Sequence, residues 1–473
     1  MSVNSPVTSN EIKGFFPPGI VTGLGIILVA LVVARLAYSV LPYSPDANKG
    51  LSLLIFIAIL WFTEAVHISL TAIMIPIGAV LLQLPASVKD GIAVPMTMKS
   101  ALAGFADPII YLFLGGFALA TALQVQKIDK KIASGIISIA GSSMLWSAVG
   151  LCAVTAFLSM WISNTATAAM ILPLAIGLLS SVDKNDRGTR VFVLLSVAYS
   201  ASIGGMGMLQ GSPPNAIAAK ALNLDFAGWL KFGLPMMLAL LPLMLFSLFV
   251  VLKPNLSQRV EVANEDIPWT LHRVIAMLIF IAAAVAWVFG STLKKEFGID
   301  SPDAFVALTA AVSVVIFGVV RWREIARNTD WGVLLLFGGG IALSNLLQKS
   351  GASAALGNEM ASAFVLAHPF IVIFAVSAFI IFLTEFTSNT ASAALLVPVF
   401  ASVAEQMNMP KEVMVLIIGI GASCAFMLPV ATPPNAIVFG TGLVTQKDML
   451  RVGMLLNILS IILVSLWAYF FLR

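Results

Sequence analysis

Apolar residues run through this chain in blocks of about 20, the length an α-helix needs to cross a lipid bilayer. Eleven such runs stand at about 20–41, 50–66, 68–85, 105–125, 192–220, 228–252, 270–291, 303–320, 331–347, 412–441 and 451–472. Two more stretches, near 141–182 and 364–404, are too long for one helix and are broken by a polar cluster at their centre. Each predicts a re-entrant hairpin, two half-helices that enter and leave on the same side. Non-helical backbone at membrane depth survives only inside protein or beside an aqueous cavity, so both breaks belong inside the molecule. The pattern therefore predicts an all-α polytopic membrane protein with eleven transmembrane helices and two re-entrant hairpins.

The chain also repeats itself. Ser163-Asn164-Thr165-Ala166-Thr167-Ala168-Ala169-Met170-Ile171-Leu172-Pro173 returns as Ser388-Asn389-Thr390-Ala391-Ser392-Ala393-Ala394-Leu395-Leu396-Val397-Pro398, identical at seven of eleven positions. Ser212-Pro213-Pro214-Asn215-Ala216-Ile217 returns as Thr432-Pro433-Pro434-Asn435-Ala436-Ile437, and Gly115-Gly116-Phe117-Ala118-Leu119 as Gly339-Gly340-Ile341-Ala342-Leu343. The three pairs keep their order. Residues 50–253 and 270–473 then form two repeats, each of five spans and one hairpin (about 141–182 and 364–404). Because five is odd, the second repeat must be inverted relative to the first. Residues 1–49 form a tail and a first helix outside the repeat. The stretch 254–269, with Glu261, Glu265 and Asp266, reads as a cytoplasmic linker.

Composition agrees and narrows the class. Hydrophobic residues make up 60% of the 473-residue chain and charged ones 10%, with a mean hydropathy of +1.02. So few charges cannot cover a soluble globule of this size. The first 18 residues are polar, without a basic segment leading into a short apolar core, so no cleaved signal peptide is expected. The net charge of +4 reads as loop bias, with no nucleic-acid partner implied. Lys127, Lys130, Lys131, Arg187, Arg190, Arg321, Arg323 and Arg327 crowd the segments that face the cytoplasm if the N-terminus is inside. Cys152 and Cys424 lie in apolar runs and read as packing residues. His67, His272 and His368 are too far apart and too poorly accompanied for a zinc-type site.

The paired motifs carry the chemistry. Ser, Asn and Thr cap helix N-termini, so each Ser-Asn-Thr cluster meets the free N–H groups and positive dipole end of the helix that follows. Two successive prolines break the helical ladder and suit the first turn of a resuming helix. Each half thus supplies two broken elements with exposed N–H groups and unwound carbonyls. Helix N-termini and amides suit an anion, whereas carbonyls and hydroxyls suit a hard cation such as sodium. No Lys or Arg lies in the four motifs. Glu64 and Glu385, each after a Thr, are read either as proton carriers or as helix anchors. The glycine runs at 115–116 and 338–340 read as close-packing sites, because no P-loop lysine follows. Lys127–Lys131 predicts a basic interfacial helix.

These residues resemble the divalent anion/sodium symporter family, the INDY-type transporters, over nearly the whole chain. The likeness is greatest to bacterial sodium-coupled C4-dicarboxylate symporters. The resemblance implies one sodium site near Ser159, Ser163, Asn164 and Gly211, and a second near Thr384, Thr387, Asn389 and Ala431. At least one sodium ion would travel per repeat. It implies a dicarboxylate held by Asn164, Thr165, Asn389 and Thr390, with Ser212, Thr432 and Pro433 lining the pocket. It further implies an elevator-type homodimer in the bacterial inner membrane, N-terminus cytoplasmic. Thr387 departs from the family pattern, where alanine is expected. A sodium-independent exchanger, or a citrate or sulfate symporter, is the alternative on the same fold. An enzyme would need a nucleophile with a base, or a metal cluster, and neither is legible. A channel would not call for broken helices in matched pairs.

Overall fold

The computed structural model describes residues 18–89, 92–139, 143–183, 185–259, 267–364 and 367–472. The linker acids Glu261, Glu265 and Asp266 and the 1–17 tail lie outside these described residues. Apolar blocks become helices in the expected order. The first half holds α1 (Pro18–Val40), α2 (Pro45–Thr63), α3 (Ile68–Leu81), α4 (Met98–Ala101), α5 (Pro108–Val125), α6 (Ile128–Ile139), α7 (Met144–Ser159), α8 (Asn164–Leu179), α9 (Arg187–Met206), α10 (Pro213–Leu222) and α11 (Phe226–Leu252). The second holds α12 (Leu271–Val288), α13 (Gly290–Phe297), α14 (Pro302–Ile316), α15 (Trp322–Asn328), α16 (Trp331–Lys349), α17 (Ala352–Ala363), α18 (Pro369–Leu383), α19 (Asn389–Gln406), α20 (Lys411–Gly421), α21 (Pro433–Phe439) and α22 (Gln446–Trp467). Prolines open α2, α5, α10, α14, α18 and α21, where a missing N–H costs nothing.

Two differences from the expected pattern stand out. The molecule is nearly, not wholly, helical: β1 (Pro85–Lys89) pairs antiparallel with β2 (Ile92–Pro95). This segment falls between spans, is bounded by prolines and holds β-branched Val88, Ile92 and Val94, which suit a pleated strand. Among the described residues, eight helices are long and apolar enough to cross a membrane, or nine if α13 and α14, bent by 99°, count as one. The shortfall from eleven lies in three runs whose helices are short: α3 with 14 residues, α14 with 15 and α20 with 11.

α9 is 94% buried along its apolar window and runs through the centre, whereas α1 and α12 are 11% and 17% buried and form the periphery. The two halves interlock reciprocally. α5 packs on α14 and α3 on α16. α10 packs on α19 and α20, while α21 packs on α8 and α9. Each resumed helix therefore lies on the other half's elements. The glycine pairs permit the close approach: a methyl group at Gly115 would strike the Ala307 backbone of α14, and one at Gly339 would press on Ala72 of α3.

Candidate binding site

Each polar break is a tight turn between two helices of 15 to 18 residues. Ser159 ends α7 and Asn164 begins α8; Leu383 ends α18 and Asn389 begins α19. Ser163 and Ser388 are the N-caps, accepting from Ala166 N at 3.3 Å and Ala391 N at 3.4 Å. The capping expected from the motif is thus present in both halves, and it aims two helix N-termini at the turns.

Behind each cap lies a group of neutral oxygens. The Asn164 carboxamide can stand in two orientations, of which the first satisfies both its polar atoms and the second turns its oxygen toward other oxygens. In one, Nδ2 donates to Ser159 Oγ (2.8 Å), Ala201 O (3.2 Å) and Gly211 O (3.3 Å). In the other, Oδ1 takes that place and accepts from Ser159 Oγ at 2.8 Å. Ser159 Oγ also reaches Ala201 O at 2.6 Å. Four neutral oxygens then converge with one hydroxyl proton among them, the kind of donor set a hard monovalent or divalent cation takes. The second half repeats the arrangement: Thr384 Oγ1 donates to Asn389 Oδ1 at 2.5 Å and to Ala422 O at 2.8 Å. Ser159 and Thr384 are both fully buried. The carbonyls of Ala201 and Ala422 were not legible in sequence, because every residue has a carbonyl and only the fold says which ones turn inward. The Thr387 hydroxyl is engaged locally, with Leu383 O at 3.0 Å and Ser392 Oγ at 2.7 Å.

The proline breaks are pinned by asparagine. Asn215 Nδ2 donates to Gly205 O (2.8 Å) and Met208 O (2.7 Å), and Asn435 Nδ2 to Ala425 O (3.1 Å) and Leu428 O (3.0 Å). These carbonyls lost their helical partners where the ladder stops, and the amide satisfies two of them in each half. The second break has a further anchor. Glu385, fully buried, accepts from the backbone N–H of Phe426 (2.7 Å), Met427 (3.0 Å) and Leu428 (3.1 Å) and from Asn457 Nδ2 (2.7 Å). Tyr199 donates to Phe426 O at 2.6 Å. Of the two readings open for Glu385, the structure gives the anchor.

Tips and breaks converge on one cavity of about 780 Å³. Its walls include Ser163, Asn164, Thr165, Gly211, Ser212, Thr387, Asn389, Thr390, Ala431, Thr432 and Pro433. Residues more than two hundred positions apart thus face a common space. Phe117 of the first glycine motif also lines it, as do Phe62, Phe113, Gln210, Phe386 and Val430, to which no motif pointed. The charged side chains along the wall are Glu64 and Asp330; neither Lys nor Arg is among its lining residues. Glu64 caps α2 in the left-handed region (φ 49°) and is exposed. His67 and His368 cap α3 and α18 through Nδ1, and both cysteines are buried and unpaired. Among the described residues no group of three His, Cys, Asp or Glu side chains is placed to hold a metal ion.

Residues 22–472 match the family model described as the sodium:sulfate symporter transmembrane region. The sequence is 50% identical over 455 residues to an uncharacterized transporter of Haemophilus influenzae, covering 94% of this chain and 96% of that one. It is 36% identical over 450 residues to an uncharacterized transporter of Methanocaldococcus jannaschii, covering 95% and 98%. It is 30% identical over 490 residues to the sodium-dependent dicarboxylate transporter SdcS of Staphylococcus saprophyticus, covering 94% and 91%. Among solved structures, the Alcanivorax borkumensis YdaH transporter superposes with a TM-score of 0.55 at 12% identity, covering 89% of this chain and 98% of that one, a likeness of fold.

Proposed function

We propose that this chain, which belongs to the sodium:sulfate symporter family and is a multi-pass membrane transporter rather than an enzyme, carries C4-dicarboxylates such as succinate, fumarate and malate by sodium-coupled symport. One observation carries the reading. The cavity offers two capped helix N-termini, amides and hydroxyls to an anion, yet the ionic side chains among its described lining residues are the carboxylates Glu64 and Asp330. An uncompensated dianion in such a site is expensive, so a cation must arrive with it. The oxygen groups around Ser159, Asn164 and Gly211, and around Thr384 and Asn389, are where sodium would sit, with Ser163, the backbone of Thr387 and Ala431 completing the two sites. Asn164, Thr165, Asn389 and Thr390 would take the two carboxylates, flanked by Ser212, Thr432 and Pro433. The dicarboxylate named for the SdcS relative agrees with two matched tips facing one cavity.

In this reading the reciprocal packing of the halves reflects an inverted repeat. The hairpin-bearing elements move as a body in an elevator within a homodimer, N-terminus in the cytoplasm of a bacterium. The test is uptake of radiolabelled succinate into proteoliposomes holding the purified protein, with an inward sodium gradient or with choline. Uptake is expected with sodium alone and is abolished by Asn164→Ala or Asn389→Ala. Uptake without sodium, accelerated by internal succinate, identifies an exchanger instead. Sulfate uptake in place of succinate would move the substrate to the anion in the family's description.

A further inference from the structure

The two ends of the cavity are unequal. Where each half enters its resumed helix, Gly211, Ser212 and Pro213 correspond to Ala431, Thr432 and Pro433. The residue before them differs in kind: Gln210 in the first half, Val430 in the second. Both line the cavity. Val430 is 82% exposed and presents an isopropyl group. Gln210 presents a carboxamide whose Oε1 is buried without a hydrogen-bond partner. That oxygen lies toward Gly116 of α5, where a methyl group would stand 3.3 Å from it. With Oε1 turned to the helix, Nε2 is the edge of the amide left for the cavity. The matched residues Asn164, Thr165 and Ser212 at one end, and Asn389, Thr390 and Thr432 at the other, answer two carboxylates alike. Gln210 is a surplus donor at one end only. A ligand oxygen brought to that end would accept from Nε2.

We propose that the site favours dicarboxylates carrying a hydroxyl or oxo oxygen on the carbon beside one carboxylate, and that Gln210 is the specificity-determining residue that donates to that oxygen. This refines the dicarboxylate reading above and rests on it. The carboxylate nearest the first tip brings its neighbouring carbon toward the entry to α10, where the Gln210 amide waits. At the opposite end the same substituent would meet Val430, which offers no hydrogen bond. An unsubstituted acid leaves the amide unpaired at both orientations, and sites built to bond a substrate oxygen discriminate against analogues that lack it.

The experiment is competition in proteoliposomes under an inward sodium gradient, with unlabelled malate or succinate inhibiting labelled succinate uptake. In the natural protein malate is expected to inhibit at a concentration on the order of tenfold lower than succinate, the worth of one hydrogen bond. Gln210→Met keeps the length of the side chain and removes the donor. It should make the two acids equal inhibitors of labelled succinate uptake. Equal inhibition in the natural protein overturns the proposal whatever the variant does. A variant that keeps the preference for malate, or loses affinity for both acids together, overturns the role of Gln210. Thermal stabilisation of the detergent-solubilised variant by each acid gives the same comparison if its uptake is low. Absence of sodium-driven uptake of either acid defeats the dicarboxylate reading itself, a result distinct from uptake without discrimination.

Discussion

Glu385 sits in the interior of a membrane protein with four N–H donors around its two oxygens, three from backbone and one from Asn457. A carboxylate so surrounded is held as part of the framework: it closes the backbone donors that the break after α20 leaves without helical acceptors. Glu385→Gln swaps an acceptor oxygen for an NH₂ group that faces N–H donors. A buried donor left facing that NH₂ group goes unsatisfied at roughly 1–3 kcal/mol, so the variant should melt below the natural protein in detergent. A variant that melts normally yet loses its sodium dependence would instead make Glu385 a cation or proton ligand. Thr387 gives the contrasting case. Its hydroxyl is spent on Leu383 O and Ser392 Oγ, within its own hairpin. Thr387→Ala should therefore retain sodium-driven succinate uptake within about threefold, given the modest net worth of one neutral hydrogen bond, where Asn389→Ala abolishes it. At this scale the sequence singled out side chains that the structure gathers together, Ser159 with Asn164 and Thr384 with Asn389. It did not single out the backbone carbonyls of Ala201 and Ala422 beside them, since no residue type announces an inward carbonyl.

Elements were legible to the extent that their boundaries are written in side chains. The Pro-Pro-Asn motifs announced the breaks before α10 and α21, because proline ends a helical ladder wherever it falls. What the motif did not say is that its asparagine turns back to pin the unwound strand ten and seven residues earlier. The β1–β2 hairpin escaped because a short stretch between membrane spans carries no long periodicity. The basic helix expected from Lys127–Lys131 appears as α6, with Lys131 Nζ donating to Ile267 O at 2.5 Å and lying 5.0 Å from the Trp269 ring centroid. Its first turn also holds an acid, Asp129, only 3% exposed, which accepts from Lys130 N at 2.8 Å. Burial pushes the Asp129 carboxyl up from 3.8 to about 6 despite that bond and the Lys130 charge. A folded-state value above the unfolded one means the fold prefers the protonated acid. That stability is fully present below pH 3.8 and is lost as pH rises through about 6. Asp129→Asn, which cannot ionise, should melt above the natural protein at pH 7.5, by a margin on the order of 3 kcal/mol. The margin should close as the pH is lowered toward 4, as melting curves across that range will show.

For the whole molecule, the matter is which side the cavity faces and what closes the other. Four helices, α5, α10, α16 and α19, line both the candidate cavity and a second one of about 330 Å³ farther along the same bundle. Between them Phe113 and Phe337 meet with ring centroids 4.6 Å apart, backed by Ile110, Ala216 and Leu334, all buried. Beyond this apolar plug Lys220, at the far end of α10, pairs with Asp107 at the head of α5, Nζ to Oδ2 2.6 Å. A pair open to solvent on its lysine side contributes on the order of 1 kcal/mol, so it holds one arrangement without preventing another. If the hairpin-bearing elements move past α5 as a body, α10 must slide relative to α5 and this pair must part in every cycle. Asp107→Cys with Lys220→Cys, joined by a short bifunctional thiol reagent, should then stop sodium-driven succinate uptake, and reductant should restore it. The two natural cysteines are buried and leave little background reaction. The uncrosslinked double variant should keep transporting, since neither residue lines the candidate cavity. Uptake that continued through the crosslink would mean that α10 and α5 stay together while the substrate passes, and the gate would then have to lie within the plug itself, in the rings of Phe113 and Phe337.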